Sequence, residues 1–420
     1  MLRWGLVAIT VILLTITIYM FVERFSDDPQ PAPPVATAPA PATPTETAPA
    51  TATPPAAPEA PAPLRTAPPE TASAPEPEPA PAPAPASAPT RQSEPDPEPV
   101  APSPERQAAP SRDFTLSVPV ACALGQDCFI QQYMDTDPGP GAKDFTCGHL
   151  SYQDHSGTDF RVRNLKAMRD GVAVLAARDG VVRALRDGMA DVNITTLPAG
   201  AVDGRECGNA VVLTHPDGWE TQYCHMRNGS VSVGKGQVVR AGDPIGLIGM
   251  SGKAQFPHLH LSVRKDGRKI DPYRGLDPAQ ACGGSYRSLW DPTASRQVAY
   301  QPGGILDLGL LDRQLTQTEA ESGEFSPATL DRNGQALVAW YIVFGIRRGD
   351  VMSMTITGPD GTRVFAQTLN PHQKDQAQYF AFAGRRTPPG GFQPGTYRAD
   401  VQMIRGGTIH DRQQVTVTLR

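Results

Sequence analysis

The chain has 420 residues, a formal net charge of −5 and an isoelectric point near 5.9. This length allows two ordinary domains and additional segments, and the acidic balance argues against a nucleic-acid-binding protein, which would usually carry a basic patch or a high isoelectric point. Proline is unevenly spread, since 28 of the 45 prolines lie between Pro29 and Pro110. That stretch therefore has to be judged apart from the rest of the chain.

The N-terminal segment predicts a membrane anchor. The run from Trp4 to Val22 (WGLVAITVILLTITIYMFV) carries no charge, and its 19 residues are enough to span a bilayer as a helix. Arg3 precedes the run and acidic residues follow it, so the positive-inside rule places the N-terminus in the cytoplasm. The alternative is a cleaved signal peptide, but the residues ERFSDD that follow offer no small-x-small cleavage site.

These features give an expected location. Residues 1–28 are predicted to form a cytoplasmic tip and a transmembrane signal anchor, which makes this a single-pass inner-membrane protein. The bulk of the chain is then expected in the periplasm, or more generally outside the cell membrane.

Residues 29–112 consist largely of Pro, Ala, Thr and Glu and carry almost no large apolar side chains. Such a segment cannot bury a core, so we expect a disordered Pro/Ala-rich linker that is biased towards polyproline II. At ~3.1 Å per residue, a segment of this length would reach roughly 250 Å. The linker is either a tether that lets the folded part act far from the membrane or a passive spacer, and the sequence does not distinguish the two.

Residues 113–290 are predicted to form the first folded domain. Short β-type runs (VAVLAA, GVVRAL, NAVVLTH, ETQYCHM and HLHLSVRK) alternate with Gly, Asp and Asn turns, and few amphipathic helical stretches compete with them. This pattern is typical of an antiparallel β-sheet.

Residues 291–420 are predicted to form a second domain. LVAWYIVFGI is strongly apolar, VMSMTITG alternates apolar and polar residues, and TRVFAQTL, TYRADVQMI and QVTVTL follow after turns. Repeated short strands predict a small, immunoglobulin-like β-sandwich. Its histidines, His372 and His410, are isolated and indicate no catalytic site. The domain could bind a protein partner or a polymer, or pack on its neighbour. The predicted fold class of the whole folded part is mainly β.

Six cysteines, an even count in an exported chain, indicate a disulfide framework. Six cysteines allow 15 pairings, so the sequence leaves the connectivity open. Cys122–Cys128 is a plausible local loop, and Cys207 and Cys224 flank a hairpin that they could close. A second metal site is the competing interpretation, but no CxxC pair supports it.

A histidine and an aspartate stand four residues apart in the segment QDHSGTDFRV. On a helix, His155 and Asp159 would share one face, but the intervening Ser-Gly-Thr argues against a helix. A turn that leads into the strand FRV is the better interpretation, with Gly157 letting the backbone bring the two side chains together.

Three further histidines lie on apparent strands. His258 and His260 are two residues apart in FPHLHLSVR, so both imidazoles point to the same face of the strand. His225 lies earlier in the chain, at the end of the strand that contains TQYCHM. Each of these short motifs alone is weak support for a site, and their combination in this order is much stronger.

HSGTD, YCHM and the Gly-rich VGKGQVVRAGDPIGLIGMSG running into HLH resemble the lysostaphin/LytM-type zinc endopeptidases. The resemblance covers about Phe145–Pro272. It implies that the metal is held by His155, Asp159 and His260, and that His258 and His225 are the two non-ligand histidines at the reacting centre. His215, in LTHPDG, is expected to be structural, and His149 has no counterpart in the family pattern.

The chemistry of this residue set agrees with a catalytic zinc site. Catalytic zinc usually takes three protein ligands and leaves a position for water, whose pKa it lowers. No HExxH glutamate is present, so an imidazole has to handle protons. We expect one Zn²⁺ per chain, His258 as general base, and His225 either stabilising the oxyanion or protonating the leaving amine, with the two roles open to exchange.

The expected function is a zinc metalloendopeptidase that hydrolyses the cross-link peptides of peptidoglycan, because members of the family cut such peptides. D-alanyl–diaminopimelate bonds are expected in a Gram-negative envelope and pentaglycine in some Gram-positive walls. The alternatives are a non-catalytic regulator of other wall hydrolases, which would usually have lost a metal residue, and a tether between wall and membrane. Neither requires the intact His/Asp set.

The sequence departs from the family pattern in three places. Residues 113–147 add a Cys-bearing segment, residues 185–207 look like an insertion, and KAQFP replaces the usual approach to HLH. The first two could shape or cover the groove, and they leave substrate specificity open.

Overall fold

A computed structural model describes residues 113–276 and 282–420. The predicted anchor and linker lie outside these residues. Across the described ranges, no helix is both long and apolar enough to cross a membrane.

The first part of the described chain is built on a large, mostly antiparallel sheet. Its strand order is β1-β2-β9-β6-β5-β4-β7, β10 pairs with β9, and β3 and β8 form a separate pair. The strands in this part are β1 Cys128–Gln132, β2 Thr158–Val162, β3 Ala173–Leu175, β4 Gly180–Arg186, β5 Asn209–Thr214, β6 Trp219–Met226, β7 Val238–Val239, β8 Pro244–Leu247, β9 His258–Lys265 and β10 Arg268–Ile270.

Alternation along the strands explains how this sheet has one apolar and one polar face. In β9, Leu259, Leu261 and Val263 belong to the first hydrophobic core. The intervening histidines of the same strand point to the opposite face, because successive side chains in a strand alternate. The opposite face is also closely packed, since β9 is buried over its first six residues.

The second part of the described chain contains two sheets around a second hydrophobic core. One sheet has the order β11-β13-β16 and the other β12-β18-β17-β14-β15, in which only the β12–β18 pair is parallel. The strands are β11 Gly304–Leu311, β12 Thr329–Leu330, β13 Ala336–Ile346, β14 Val351–Thr357, β15 Arg363–Thr368, β16 Gln376–Arg386, β17 Gly395–Arg405 and β18 Thr408–Leu419.

Two 3₁₀ helices, Ile194–Thr196 and Pro216–Gly218, and three short α-helices complete the described secondary structure. Each α-helix has a side-chain cap at its N-terminus. The α-helices are α1 Leu165–Asp170, α2 Pro292–Gln297 and α3 Gln317–Ser322, capped by Asn164, Asp291 and Thr316 respectively. Each cap satisfies backbone N–H groups that the first turn leaves without partners. The prediction of a mainly β, antiparallel fold is confirmed.

Strand β13 is buried along almost its whole length. It is the central strand of its sheet, so both of its edges are paired. Phe344 of β13 also contacts Phe129 of β1, with ring centroids 5.5 Å apart. Phe129 thus belongs to the second core although it lies in the first large sheet.

Three disulfides tie the chain: Cys122–Cys128, Cys147–Cys282 and Cys207–Cys224. The two pairings considered from sequence are both present. The Cys207–Cys224 bridge joins β6 to the inserted segment 185–207, and the Cys147–Cys282 bridge closes a separation of 135 residues.

Candidate metal centre

The candidate site lies across neighbouring strands of the large sheet. β2 pairs with β9, and β9 pairs with β6. In this register Asp159 stands opposite His260, and His260 stands opposite Cys224. Adjacent strands therefore bring together residues that are about 100 positions apart in the sequence.

His155 reaches the same point from the turn before β2, as predicted. The turn contains Asp154 with a left-handed φ of 65°. Gly157 follows it and packs directly on β9. A Cβ atom at Gly157 would lie 2.4 Å from the carbonyl oxygen of Leu261 and 2.7 Å from Nε2 of His260. Glycine is required here by close approach to the neighbouring strand, since its φ is not positive.

Three ligand atoms converge in this buried place. Nδ1 of His260 lies 2.8 Å from Oδ1 of Asp159, and Nε2 of His155 lies 3.1 Å from each of those two atoms. Tetrahedral zinc with bonds of about 2.0–2.1 Å separates its ligand atoms by about 3.4 Å. The donor set and its spacing therefore fit a zinc ion after small outward shifts. Within the described residues, these three form the one cluster of this kind.

The hydrogen bonds behind the cluster prepare the two imidazoles for a metal. Nδ1 of His155 lies 2.6 Å from the carbonyl oxygen of Tyr133, which can only accept, so Nδ1 carries the proton and Nε2 faces the site unprotonated. Nε2 of His260 lies 3.0 Å from the hydroxyl of Ser262, which can accept its proton and leave Nδ1 to bind. Ligating histidines commonly donate their other N–H in this way.

His258 and His225 flank the cluster without joining it. Nε2 of His258 lies 3.6 Å from Oδ1 of Asp159, and the rings of His225 and His258 are 4.7 Å apart. Both rings donate Nδ1–H to a backbone carbonyl, at Phe256 and Ser251 respectively. In this tautomer Nε2 of each ring is unprotonated and can accept a proton.

His225 has an unusual backbone conformation, with φ at 60°. A left-handed residue other than glycine costs about 1 kcal/mol or more and is most often found where function or packing requires it. Here the conformation lets the amide of His225 donate to the carbonyl of Cys207 at 2.8 Å, while its own carbonyl accepts from Gly249.

The electrostatics favour a cation at the cluster. Burial lowers the pKa of His155, but the Asp159 carboxylate outweighs burial and raises that pKa above its usual value. Burial raises the pKa of Asp159, yet the charges and hydrogen bonds of the surrounding imidazoles hold it well below the usual range. A buried, ionised carboxylate needs a compensating positive charge, which a metal ion bound by the cluster would supply.

The two flanking imidazoles are held neutral. Burial lowers the pKa of His225 well below its usual value, and repulsion from His258 and His260 adds to this. Burial also lowers the pKa of His258, although the Asp159 carboxylate opposes it. Neutral imidazoles are the form that can accept a proton from water.

A cavity of about 270 Å³ opens onto the cluster. Its lining is polar and carries both signs of charge: the lining residues include Asp154, Glu206, Lys253 and Arg264 besides His155, His225 and His260. No residue of 113–147 lines it, so the described part of that segment does not cover the cavity. The inserted segment 185–207 does contribute, through Glu206 and Cys207.

The remaining histidines lie elsewhere. His215 is held by the carbonyl of Asp179 and the hydroxyl of Thr221, which agrees with a structural role. His372 packs on Tyr379, and His410 bonds to the backbone of the second domain. His149 is half-buried, and its burial lowers its pKa.

Several site residues escaped the sequence analysis. Ser262 and Arg264 continue the two-residue spacing of His258 and His260, so they share the site face of β9 and that spacing could have identified them. The carbonyl of Tyr133, the residue after β1, carried no such signal, because a contact made by a backbone atom does not depend on residue type.

Residues 153–272 match Peptidase family M23, which confirms the predicted resemblance. The DD-carboxypeptidase/endopeptidase Mpg of Neisseria meningitidis is 32% identical over 120 residues, 28% of this chain and 22% of Mpg. The peptidoglycan DD-endopeptidase ShyA of Vibrio cholerae is 32% identical over 124 residues, 30% of this chain and 23% of ShyA.

The matched segment thus spans less than a quarter of either relative. Among solved structures, a zinc-containing peptidase from Vibrio cholerae is similar at 27% identity, covering 38% of this chain and 39% of that one, with a TM-score of 0.26.

Proposed function

We propose that this protein is a zinc-dependent endopeptidase that cuts the cross-link peptides of peptidoglycan, because residues 153–272 match Peptidase family M23. The observation that carries the proposal is the convergence of His155, Asp159 and His260, whose ligand atoms lie within 2.8–3.1 Å of one another on a buried sheet face. The same face opens to a polar cavity that can admit a peptide.

The two relatives are named for DD-endopeptidase activity. We extend that substrate class to this chain, so that the scissile bond is a D-alanyl cross-link of peptidoglycan. The mixed charge of the cavity lining suits a peptide that carries both carboxylates and amines.

Zinc, when bound by His155, Asp159 and His260, supplies an activated water and polarises the scissile carbonyl. His258 accepts a proton at Nε2, because its Nδ1–H is committed to the carbonyl of Phe256. The ring then becomes a buried cation, which the adjacent Asp159 carboxylate stabilises.

His225 resembles His258 in its tautomer, with Nδ1–H held by the carbonyl of Ser251. Stabilising an oxyanion and protonating the leaving amine both require a proton on Nε2 of His225, which its burial opposes in the resting state. His225 therefore serves in either role only after it has taken up a proton during the reaction, and the two roles stay open to exchange.

The N-terminal anchor and the linker complete the proposal. They would hold the enzyme at the inner membrane and let the folded part reach the wall across the periplasm. The three disulfides support a location outside the reducing cytoplasm.

The test is zinc content and muropeptide analysis on the purified full-length chain and three variants. The unmutated protein should hold close to one zinc and cut peptidoglycan cross-links. His260→Ala should lose both, and His258→Ala should keep zinc and lose cleavage by at least ~100-fold, the usual range for a general base. His410→Ala, whose ring bonds to Gly303 and Arg405 and not to the residues of the candidate site, is the control. Zinc binding without cleavage by the unmutated protein would instead favour a regulator of other wall hydrolases.

A further inference from the structure

We propose that the second β domain is a working part of the catalytic centre, in which Gln378 and the buried guanidinium of Arg161 hold His258 in position. This inference rests on the proposed function, because it assigns a positioning role in that reaction. It also gives residues 291–420 a task that does not depend on an external partner.

Arg161 lies on the site face of the sheet. It follows Asp159 by two residues on β2, so the two side chains point the same way. Its direct neighbour across the β2–β9 pair is His258. The metal pair Asp159–His260 and the pair Arg161–His258 are thus consecutive rows on one face.

The guanidinium of Arg161 joins the two domains. Its Nη1 donates to the side-chain oxygen of Gln131 at 2.6 Å and to that of Gln378, on β16, at 2.5 Å. The amide of Gln378 in turn donates to Glu321 of α3 at 2.6 Å. Arg161 is only 1% exposed, so these bonds form in a place that water does not reach freely.

The same guanidinium connects to His258 through Phe256. It lies 4.5 Å from the centre of the Phe256 ring, and that ring lies 4.6 Å from the ring of His258. The carbonyl of Phe256 accepts the Nδ1–H of His258 at 2.8 Å. Phe256 belongs to KAQFP, the approach to HLH that departs from the family pattern.

The buried charge of Arg161 restricts where its guanidinium can lie. Arginine keeps its charge across the physiological pH range, and the guanidinium of Arg161 is buried. The group therefore stays charged at neutral pH, and loss of a partner would leave part of a buried charge unsatisfied. The guanidinium would then shift, and Phe256 and His258 would shift with it.

Further contacts between the two domains oppose such a shift. Phe129 of β1 packs on Phe344 of β13, and Asn164 donates to Asp307 of β11 at 2.6 Å. Asn164 also caps α1, so one side chain fixes a helix start and the second domain together. These contacts make the second domain a fixed support beside the catalytic strands.

The experiment compares Gln378→Met with Gln376→Met in the full-length, zinc-loaded chain. Methionine keeps the approximate size of glutamine and removes its hydrogen bonds, and Gln376 lies two residues earlier on the same strand. For Gln378→Met we expect kcat to fall on the order of tenfold, as misorientation of a catalytic group commonly does, with KM within about twofold and zinc content unchanged. Gln376→Met should match the unmutated protein.

A second readout does not depend on activity. Long-range ¹H–¹⁵N spectra report the tautomer and environment of the His258 ring. Gln378→Met should shift or broaden the His258 signals while leaving those of His215 unchanged. Unchanged His258 signals, or a loss of zinc, would overturn the proposal. If the unmutated chain cut no peptidoglycan, the proposed function would fail, and these spectra would still decide the positioning role.

A further pair of variants, Arg161→Lys and Arg161→Met, distinguishes loss of positioning from a folding defect. Arg161→Lys keeps a cation that can bond both glutamines and should retain more of the kcat and of the His258 signals than Arg161→Met. Equal behaviour of the two variants would also contradict the proposal, because it would show that the cation and its bonds to Gln378 do not matter.

Discussion

Replacing Gly157 by alanine should separate zinc binding from folding. The added methyl group would lie 2.4 Å from the carbonyl oxygen of Leu261 and 2.7 Å from Nε2 of His260. Ordinary contacts of this kind begin near 3.4 Å. The carbonyl of Leu261 is backbone and is fixed by the β2–β9 pairing, so the overlap is relieved only if the turn before β2 and His260 move apart by several tenths of an ångström.

That displacement is large for a metal ligand. Metal–ligand distances are defined to within about 0.2 Å, and disturbance of the groups that orient a ligand typically costs 10–100-fold in affinity. We expect Gly157→Ala to weaken zinc binding by about that factor. Overpacking should also cost roughly 1–3 kcal/mol of folding free energy, which is not enough by itself to unfold most domains.

The assay is competition for zinc with a chromophoric chelator, together with thermal unfolding of the zinc-free and zinc-loaded forms. Gly234→Ala is the matched control, because a Cβ at Gly234 meets nothing within 4 Å and its φ is not left-handed. The control should bind zinc like the unmutated protein. Unaltered zinc affinity in Gly157→Ala would refute the idea that this glycine keeps His260 in its ligating position.

Two further predictions concern the Ser262 hydroxyl, which contacts the imidazole of His260, and the buried carboxyl of Asp271. Ser262→Ala removes the partner of His260 Nε2 and should weaken zinc binding about tenfold; chelator competition measures it, and wild-type affinity would count against the proposed tautomer. Burial raises the pKa of Asp271 to about 7. Between pH 4 and 7 the folded state then holds a proton that the unfolded state has released, so Asp271 increasingly destabilises the protein as pH rises. Asp271→Asn should be about 2–4 kcal/mol more stable than the unmutated protein at pH 8 and nearly equal at pH 4, as urea unfolding at the two pH values will show. An equal difference at both would contradict this.

The convergence of His155, Asp159 and His260 was predictable because its signals are local. The two-residue spacing of His258 and His260 defines a strand face without knowledge of its partners. The turn from His155 to Asp159 is contained in five residues. What the sequence could not supply was the pairing of β2 with β9, which lies about 100 residues away in the chain. The family resemblance supplied that connection.

In the second domain, the sequence predicted some strands and missed others. β13 was identified because its apolar run is long and continuous. β11 was not, since GGILDLGLL contains three glycines, which are uncommon within strands. Its burial comes from pairing with β13 and packing in the second core. The expected immunoglobulin-like topology stays a prediction.

The contact between Arg161 and Gln378 could not be predicted from the sequence either. Arg161 and Gln378 are 217 residues apart, and neither belongs to a recognisable motif. Yet Arg161 lies only two residues from Asp159, a separation of about 6.6 Å along a strand. One strand therefore carries a metal ligand and the cation that supports His258. A change in the second domain that displaced Arg161 would also act on Asp159, because only Phe160 separates the two residues on β2. The side chain of Phe160 is completely buried in the first core. Because close-packed interiors transmit displacement rather than absorb it, the second domain is well placed to govern how firmly the catalytic histidine is held.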